Sequence, residues 1–338
     1  MIQFNTIKRP PVPEGTLQPD LQENVSAPAV LLLDVDGHTV TGTSWNYAGP
    51  LVCAPANLTA AGIEEIVRRV SEDFAPFEVA VTTSESAYNQ CNPYRRMRVI
   101  ITESWEWFGL AGGTAFLGSF GWGNNTPCFV FSVLLNYDSK KIGEAVSHEI
   151  GHTFGLYHQP LVSSLCTLLN EYHPGAGTGQ LAWAPIMGLG YYRNMTTWHR
   201  ALNCSGQDDL GIIESYLVRK PDDHPNIFGN PTPVGSLATG CINGSSDVDF
   251  FVADLTVPAT LLLEPANVGA GNDGANCDLQ MKLYSRTRSL IGIINDPQAL
   301  SVSIFLEPGR YFIGVESVEN GNAARYGQLG NYTLRVQP

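Results

Sequence analysis

The sequence predicts an α+β domain over residues 26–219 followed by an all-β sandwich over 220–338. Three observations carry this division. From residue 29 to the 150s, short apolar runs alternate with segments whose apolar residues recur at helical spacing. Beyond Lys220-Pro221-Asp222-Asp223, which reads as a boundary, only short alternating runs separated by turn residues remain. All six tryptophans and six of the seven histidines precede that boundary, so the two parts differ in composition as well as pattern.

Taken in order, residues 1–25 are polar and proline-rich without periodicity and read as a mobile arm or the remnant of a pro-segment. Ala29–Asp34 is a short apolar run suited to a buried strand, and Asp36-Gly37 marks a turn after it. Thr59 is placed to cap a helix whose Ile63, Ile66, Val67, Val70 and Phe74 share one face. Residues 77–82 and 97–102 read as strands, 112–120 as a glycine-rich strand, and 128–134 as another buried one. Asp138 or Ser139 then caps a helix with Ile142, Val146 and Ile150 on its inner stripe. Asp208-Asp209 open a last helix, with Leu210, Ile213 and Leu217 facing inward.

The helix after residue 138 carries the pattern HExxHxxGxxH across residues 148–158. His148 and His152 lie one turn apart on the same face, so both imidazoles can grip one metal ion. Glu149 follows the first ligand and is placed to act on water beside the metal without ligating it. Gly155 permits a left-handed residue, which lets the chain swing His158 back as third ligand. Three neutral nitrogens and an open position describe a catalytic Zn2+ site, with Glu149 as general base in peptide hydrolysis.

The motif together with Ala184-Pro185-Ile186-Met187-Gly188 resembles a metzincin-clan zinc metalloendopeptidase. That resemblance implies a twisted mixed five-stranded sheet, an active-site helix and a small lower subdomain, with Met187 supporting the ligands from below. It implies that the edge strand beside the cleft is formed by Gly113, Thr114, Ala115, Phe116, Leu117 and Gly118, offering backbone groups to an extended substrate. Some family members place a tyrosine two residues after the methionine; here that position is Leu189. Tyr191 and Tyr192 are the remaining candidates for a transition-state or pocket role. Met195 is a weaker rival for the turn, and His173 reads as a surface loop residue.

After the boundary, runs at 249–255, 259–263, 279–284, 300–305, 311–315 and 332–336 give the sandwich pattern. Ser246–Phe251, Glu307–Val315 and Tyr326–Thr333 resemble the pre-peptidase C-terminal domain of secreted bacterial peptidases. That resemblance implies a module associated with substrate or surface binding. It also makes Ca2+ a candidate second cation in the acidic turns at Asp247, Asp249 and Asp273.

A net charge of -13 argues against nucleic acid or an anionic membrane as partner, and no run reaches membrane-spanning length. Met1 is followed by no apolar signal core, so either the protein is cytosolic or an export signal has been removed. Cysteine usage favours export. None of the seven cysteines forms a CxxC pair. Cys166–Cys204 and Cys241–Cys277 are the expected disulfides and Cys91–Cys128 a further candidate, leaving Cys53 free. Asn57, Asn194 and Asn331 sit in Asn-x-Ser/Thr sequons. The expectation is a secreted, monomeric zinc endopeptidase acting on polypeptides or glycoproteins. The alternatives are a glycoprotein- or polysaccharide-binding protein with a vestigial zinc domain, and a peptidase restricted to glycosylated proteins such as mucins.

Overall fold

The computed structural model describes Leu21 and residues 26–200, 204, 206–269 and 274–338. Apart from Leu21, the expected arm at 1–25 lies outside the described residues, as does Asp273. The chain forms two compact units. The first holds the described residues up to Phe74, Glu78–Gln159 and the described part of 203–218. The second holds Ala75–Phe77, the described part of 160–202, and that of 219–338.

In the first unit the elements are β1 (Ala29–Asp34), the hairpin β2 (His38–Val40) and β3 (Leu51–Cys53), α1 (Ala60–Asp73), β4 (Val79–Thr82), α2 (Glu85–Gln90) and β5 (Arg96–Thr102). They continue with β6 (Gly113–Thr114), β7 (Cys128–Phe131), α3 (Ser139–Thr153) and α4 (Asp209–Glu214). One mixed sheet runs β4-β1-β5-β7-β6; all its pairs are parallel except β6 with β7. Every residue of β1 is buried, as a central strand covered on both faces requires. Thr59 caps α1 by accepting from the amide of Gly62, and Asp138 caps α3 by accepting from Lys141. The apolar stripes of α1 and α3 are buried, with Val70, Ile142, Val146 and Ile150 fully so.

One expectation needs correction here, and one element is new. Pairing in the glycine-rich stretch is confined to Gly113–Thr114. The chain turns away at Gly118, whose φ of 74° suits glycine, and enters a 3-10 turn over Ser119–Trp122, so Ala115, Phe116, Leu117 and Gly118 lie beyond the paired strand. The short helix α2 between β4 and β5 was not anticipated, because six residues are too few to show a helical period.

The second unit opens with two two-stranded pieces: β8 (Leu161–Val162) with β9 (Leu168–Asn170), and β10 (Trp183–Pro185) parallel to β11 (Met195–Thr197). The remaining strands are β12 (Thr232–Pro233), β13 (Leu237–Ile242), β14 (Asp249–Leu255), β15 (Ala259–Pro265), β16 (Leu279–Tyr284), β17 (Leu290–Ile294), β18 (Val302–Leu306), β19 (Gly309–Ser317) and β20 (Gly330–Gln337). They form two sheets, β12-β14-β19-β16-β17 and β13-β20-β15-β18. Leu261, Leu263, Leu279, Met281, Ile313 and Leu334 alternate inward to make the sandwich core. Leu181, Trp183 and Met195 join Ala275, Leu300 and Ala323 in one buried cluster, so the stretch around β10 and β11 is packed on the sandwich.

Cys166 and Cys204 are disulfide-bonded. The other expected pairings are not formed: Cys241, Cys277, Cys91 and Cys128 are not disulfide-bonded, nor is Cys53. The geometry explains both misses. Cys241 lies on β13 in one sheet, its thiol towards the carbonyl of Ala75, whereas Cys277 precedes β16 of the other sheet. Cys91 turns to the carbonyls of Pro28 and Arg95, while Cys128 is sealed inside β7 against Arg98.

Candidate metal centre

Helix α3 ends where the histidine pattern requires. Gly155 adopts φ 99°, its amide donates to the carbonyl of His152, and the amide of Leu156 donates to Gly151. The chain reverses through that turn and brings His158 back to the helix. The ligating nitrogens of His148, His152 and His158 lie within 4.8 Å of one another. Their ring centroids are 4.8, 4.9 and 5.2 Å apart.

Neighbouring groups hold each ligand. Nδ1 of His152 lies 2.6 Å from the carbonyl oxygen of Leu156; a carbonyl only accepts, so Nδ1 carries the proton and Nε2 keeps its lone pair for a metal. Burial pushes His152 down to about 4, which keeps it a neutral ligand. Ser147, beside His148, donates to the buried Asp73 of α1. His158 is held from both sides: Gln207 accepts from the amide of Tyr157 and donates to its carbonyl, both at 2.9 Å. Gln159 donates to Asp209 at 3.0 Å. Gln207 was not singled out in the sequence and Asp209 was read only as opening the last helix; an acidic pair at a helix start gives no sign that it anchors a loop fifty residues upstream.

Glu149 is 7 % exposed, and its Oε2 has no hydrogen-bond partner among the described residues. Burial pushes it up to about 8. Its other face lies against the edge strand. A Cβ on Gly113 would come within 2.8 Å of Glu149 Oε1 and 2.6 Å of the Phe129 carbonyl oxygen, so only glycine fits there. The edge stretch is also tied to the ligand helix, since the amide of Gly118 donates to the carbonyl of His152 at 2.9 Å. Three imidazoles and an unsatisfied carboxylate fit a divalent ion with a general base beside it.

Met187, Tyr191 and Tyr192 belong to the second unit. Met187 is fully buried in the turn between β10 and β11, where the amide of Ile186 donates to Thr197 and that of Gly188 to Pro185. Tyr192 is exposed, with its ring centroid 6.4 Å from that of Tyr191. His173 accepts from the amide of Gly175 and faces Trp183.

A second ligand-type cluster lies in the sandwich. Carboxylate oxygens of Asp222, Asp247 and Asp249 lie within 4.8 Å of one another. Asp247 and Asp249 are buried, and each keeps an Oδ1 without a hydrogen-bond partner. Burial, with the neighbouring carboxylates adding to it, pushes Asp247 up to about 6 and Asp249 up to about 8. Asp247 accepts from the amide of Asn243, and Asp249 accepts from the hydroxyl of Tyr332. Asp222 had been read only as part of a domain boundary.

No protein-family model matches the chain, and no curated protein matches it. Among solved structures it is similar to the pre-peptidase C-terminal domain of a collagenase from Bacillus anthracis, at 14% identity over 35% of this chain and 99% of that one, with a TM-score of 0.23. It is also similar to PliG, a periplasmic inhibitor of g-type lysozyme from Aeromonas hydrophila, at 16% identity over 32% of this chain and 95% of that one, with a TM-score of 0.22. Scores of that size leave the sandwich to be defined by its own strand pairing. Among the described residues no helix is long and apolar enough to cross a membrane.

Proposed function

We propose that this chain is a secreted zinc-dependent metalloendopeptidase that hydrolyses peptide bonds of extracellular polypeptides. The observation that carries the reading is the gathering of three histidine nitrogens beside a buried carboxylate with an unsatisfied oxygen. His148, His152 and His158 would hold the ion. A zinc ion bound there supplies an activated water and polarises the scissile carbonyl. Glu149 takes the proton released during attack and passes it to the departing amine. Gly113 leaves room for the carboxylate to lie flat against the edge strand. The Cys166–Cys204 disulfide supports an oxidising compartment.

Asp222, Asp247 and Asp249 are proposed to hold Ca2+, whose preference for hard oxygen ligands matches the set. In this reading the cation stabilises the sandwich and takes no part in hydrolysis.

The test is Glu149→Gln in the zinc-loaded protein, assayed on an unfolded protein substrate. Zinc content stays at one equivalent while cleavage falls about 10²–10⁴-fold. Undiminished cleavage would remove Glu149 from the mechanism, and a wild-type chain that binds zinc but cuts neither casein nor a mucin would leave only a binding role.

A further inference from the structure

A ledge of aromatic side chains gathers around Phe116, two residues past the edge strand, and packs through Trp45 on Phe129 of β7. Phe108 and Trp122 are exposed at 45% and 39%, with Phe116 half-buried between them. Phe116 lies on the buried Trp45 at a centroid distance of 4.0 Å, and Trp122 lies 5.6 Å from Phe116. Trp45 is pinned by its indole N–H to the carbonyl of Pro127 at 2.8 Å and backed by Trp107 and Phe129. Leu110 and Leu117, exposed at 66% and 41%, extend the apolar surface. Soluble proteins seldom leave so many large apolar side chains outside one short segment unless something covers them.

Three features say what covers it. The sheet ends at β6, so the outer backbone groups of Gly113–Thr114 face no further strand among the described residues. The ledge is joined to the candidate centre at both ends of this stretch, through Gly113 against Glu149 and Gly118 against His152. No charged residue occurs between Glu106 and Asp138. Exposed Asn124 and Asn125 follow Trp122, and the open backbone edge beside the rings offers what an extended polypeptide pairs with.

We propose that the ledge is the side-chain specificity site of the peptidase, selecting extended polypeptide segments that carry large apolar or aromatic residues within about four positions of the scissile bond. The proposal rests on the reading of the histidine centre as hydrolytic. Because Trp45 and its neighbours already fix the rings, little side-chain freedom is lost on binding.

The zinc-loaded full chain is exposed to a peptide library derived from a denatured proteome, and the cut sites are sequenced. Phe, Leu, Tyr, Trp and Ile are expected to be enriched on one side of the cut. With a quenched peptide bearing Phe at the enriched position, Trp122→Ala lowers kcat/KM at least tenfold; with its Ala counterpart the same variant changes it less than twofold. Binding of the Phe peptide to Glu149→Gln, followed by tryptophan fluorescence, separates the ledge from the chemistry. Cuts without side-chain preference, or equal losses for both peptides, overturn the proposal. Cutting that disappears when glycans are removed from the substrate overturns it in favour of sugar recognition. Selective binding of the Phe peptide with no cleavage by wild type keeps the ledge and sinks the hydrolytic reading instead.

Discussion

The two ligand-type clusters differ in how the chain builds them. The histidine set comes from one helix and the turn that ends it, eleven residues in all, and burial keeps His152 neutral before any ion arrives. The acidic set joins a loop residue to a turn twenty-five residues later, and burial with crowding raises Asp247 and Asp249, so its carboxylates favour a proton or a cation among them. The first is a site preorganised by one helix and its closing turn. The second is a strained one, in which a bound cation should count directly towards stability. A metal deficiency therefore ought to silence the first unit and soften the second.

The largest test of that contrast is His152→Ala. Zinc should be lost from the protein by elemental analysis, with cleavage falling to background, while the thermal midpoint of the sandwich stays where it was. Next comes Asp249→Asn, which mimics the neutral acid and keeps the size that Tyr332 contacts. Wild type should gain about 2.7 kcal/mol in denaturant unfolding at Ca2+ a hundredfold above its Kd, and the variant should gain almost none. Equal gains would show that the calcium acts elsewhere.

A third test concerns acid. His199 is buried against Trp183, and burial pushes it down to about 4. Its folded value lies below the unfolded 6.5, so the stability it contributes is present above about 6.5 and lost as pH falls towards 4. His199→Gln should flatten that acid limb, with an upper bound on the order of 3 kcal/mol; urea midpoints at pH 4.5 and 7.5 measure it. The smallest effect expected is Thr59→Ala, which removes the cap of α1 and costs about 1 kcal/mol, visible as a lower thermal midpoint without change in zinc content.

These residues also show what could be read from sequence and what could not. Thr59, Asp138 and Asp208 announced their helices because a cap is a local bond, made within three residues. The inward alternation of β15 and β16 was equally legible, since one sheet face is buried. The histidine pattern was legible for the same reason of proximity along the chain. Gln207 holding Tyr157, Asp222 meeting Asp249, and Trp45 under Phe116 were not, because each joins segments far apart in sequence with no pattern of its own. The glycine-rich stretch misled for a related reason. Glycines mark both strands that something approaches closely and chains that turn, and this stretch contains one of each, at Gly113 and Gly118.

The bond from Gly118 to His152 has a consequence for how such a protein could change over time. It is made wholly of main chain, so it survives any replacement of the side chains at Ala115, Phe116 and Leu117. Those positions can be rewritten for a different diet of substrates while the ligand helix stays moored, which separates the part of the molecule free to drift from the part that is not.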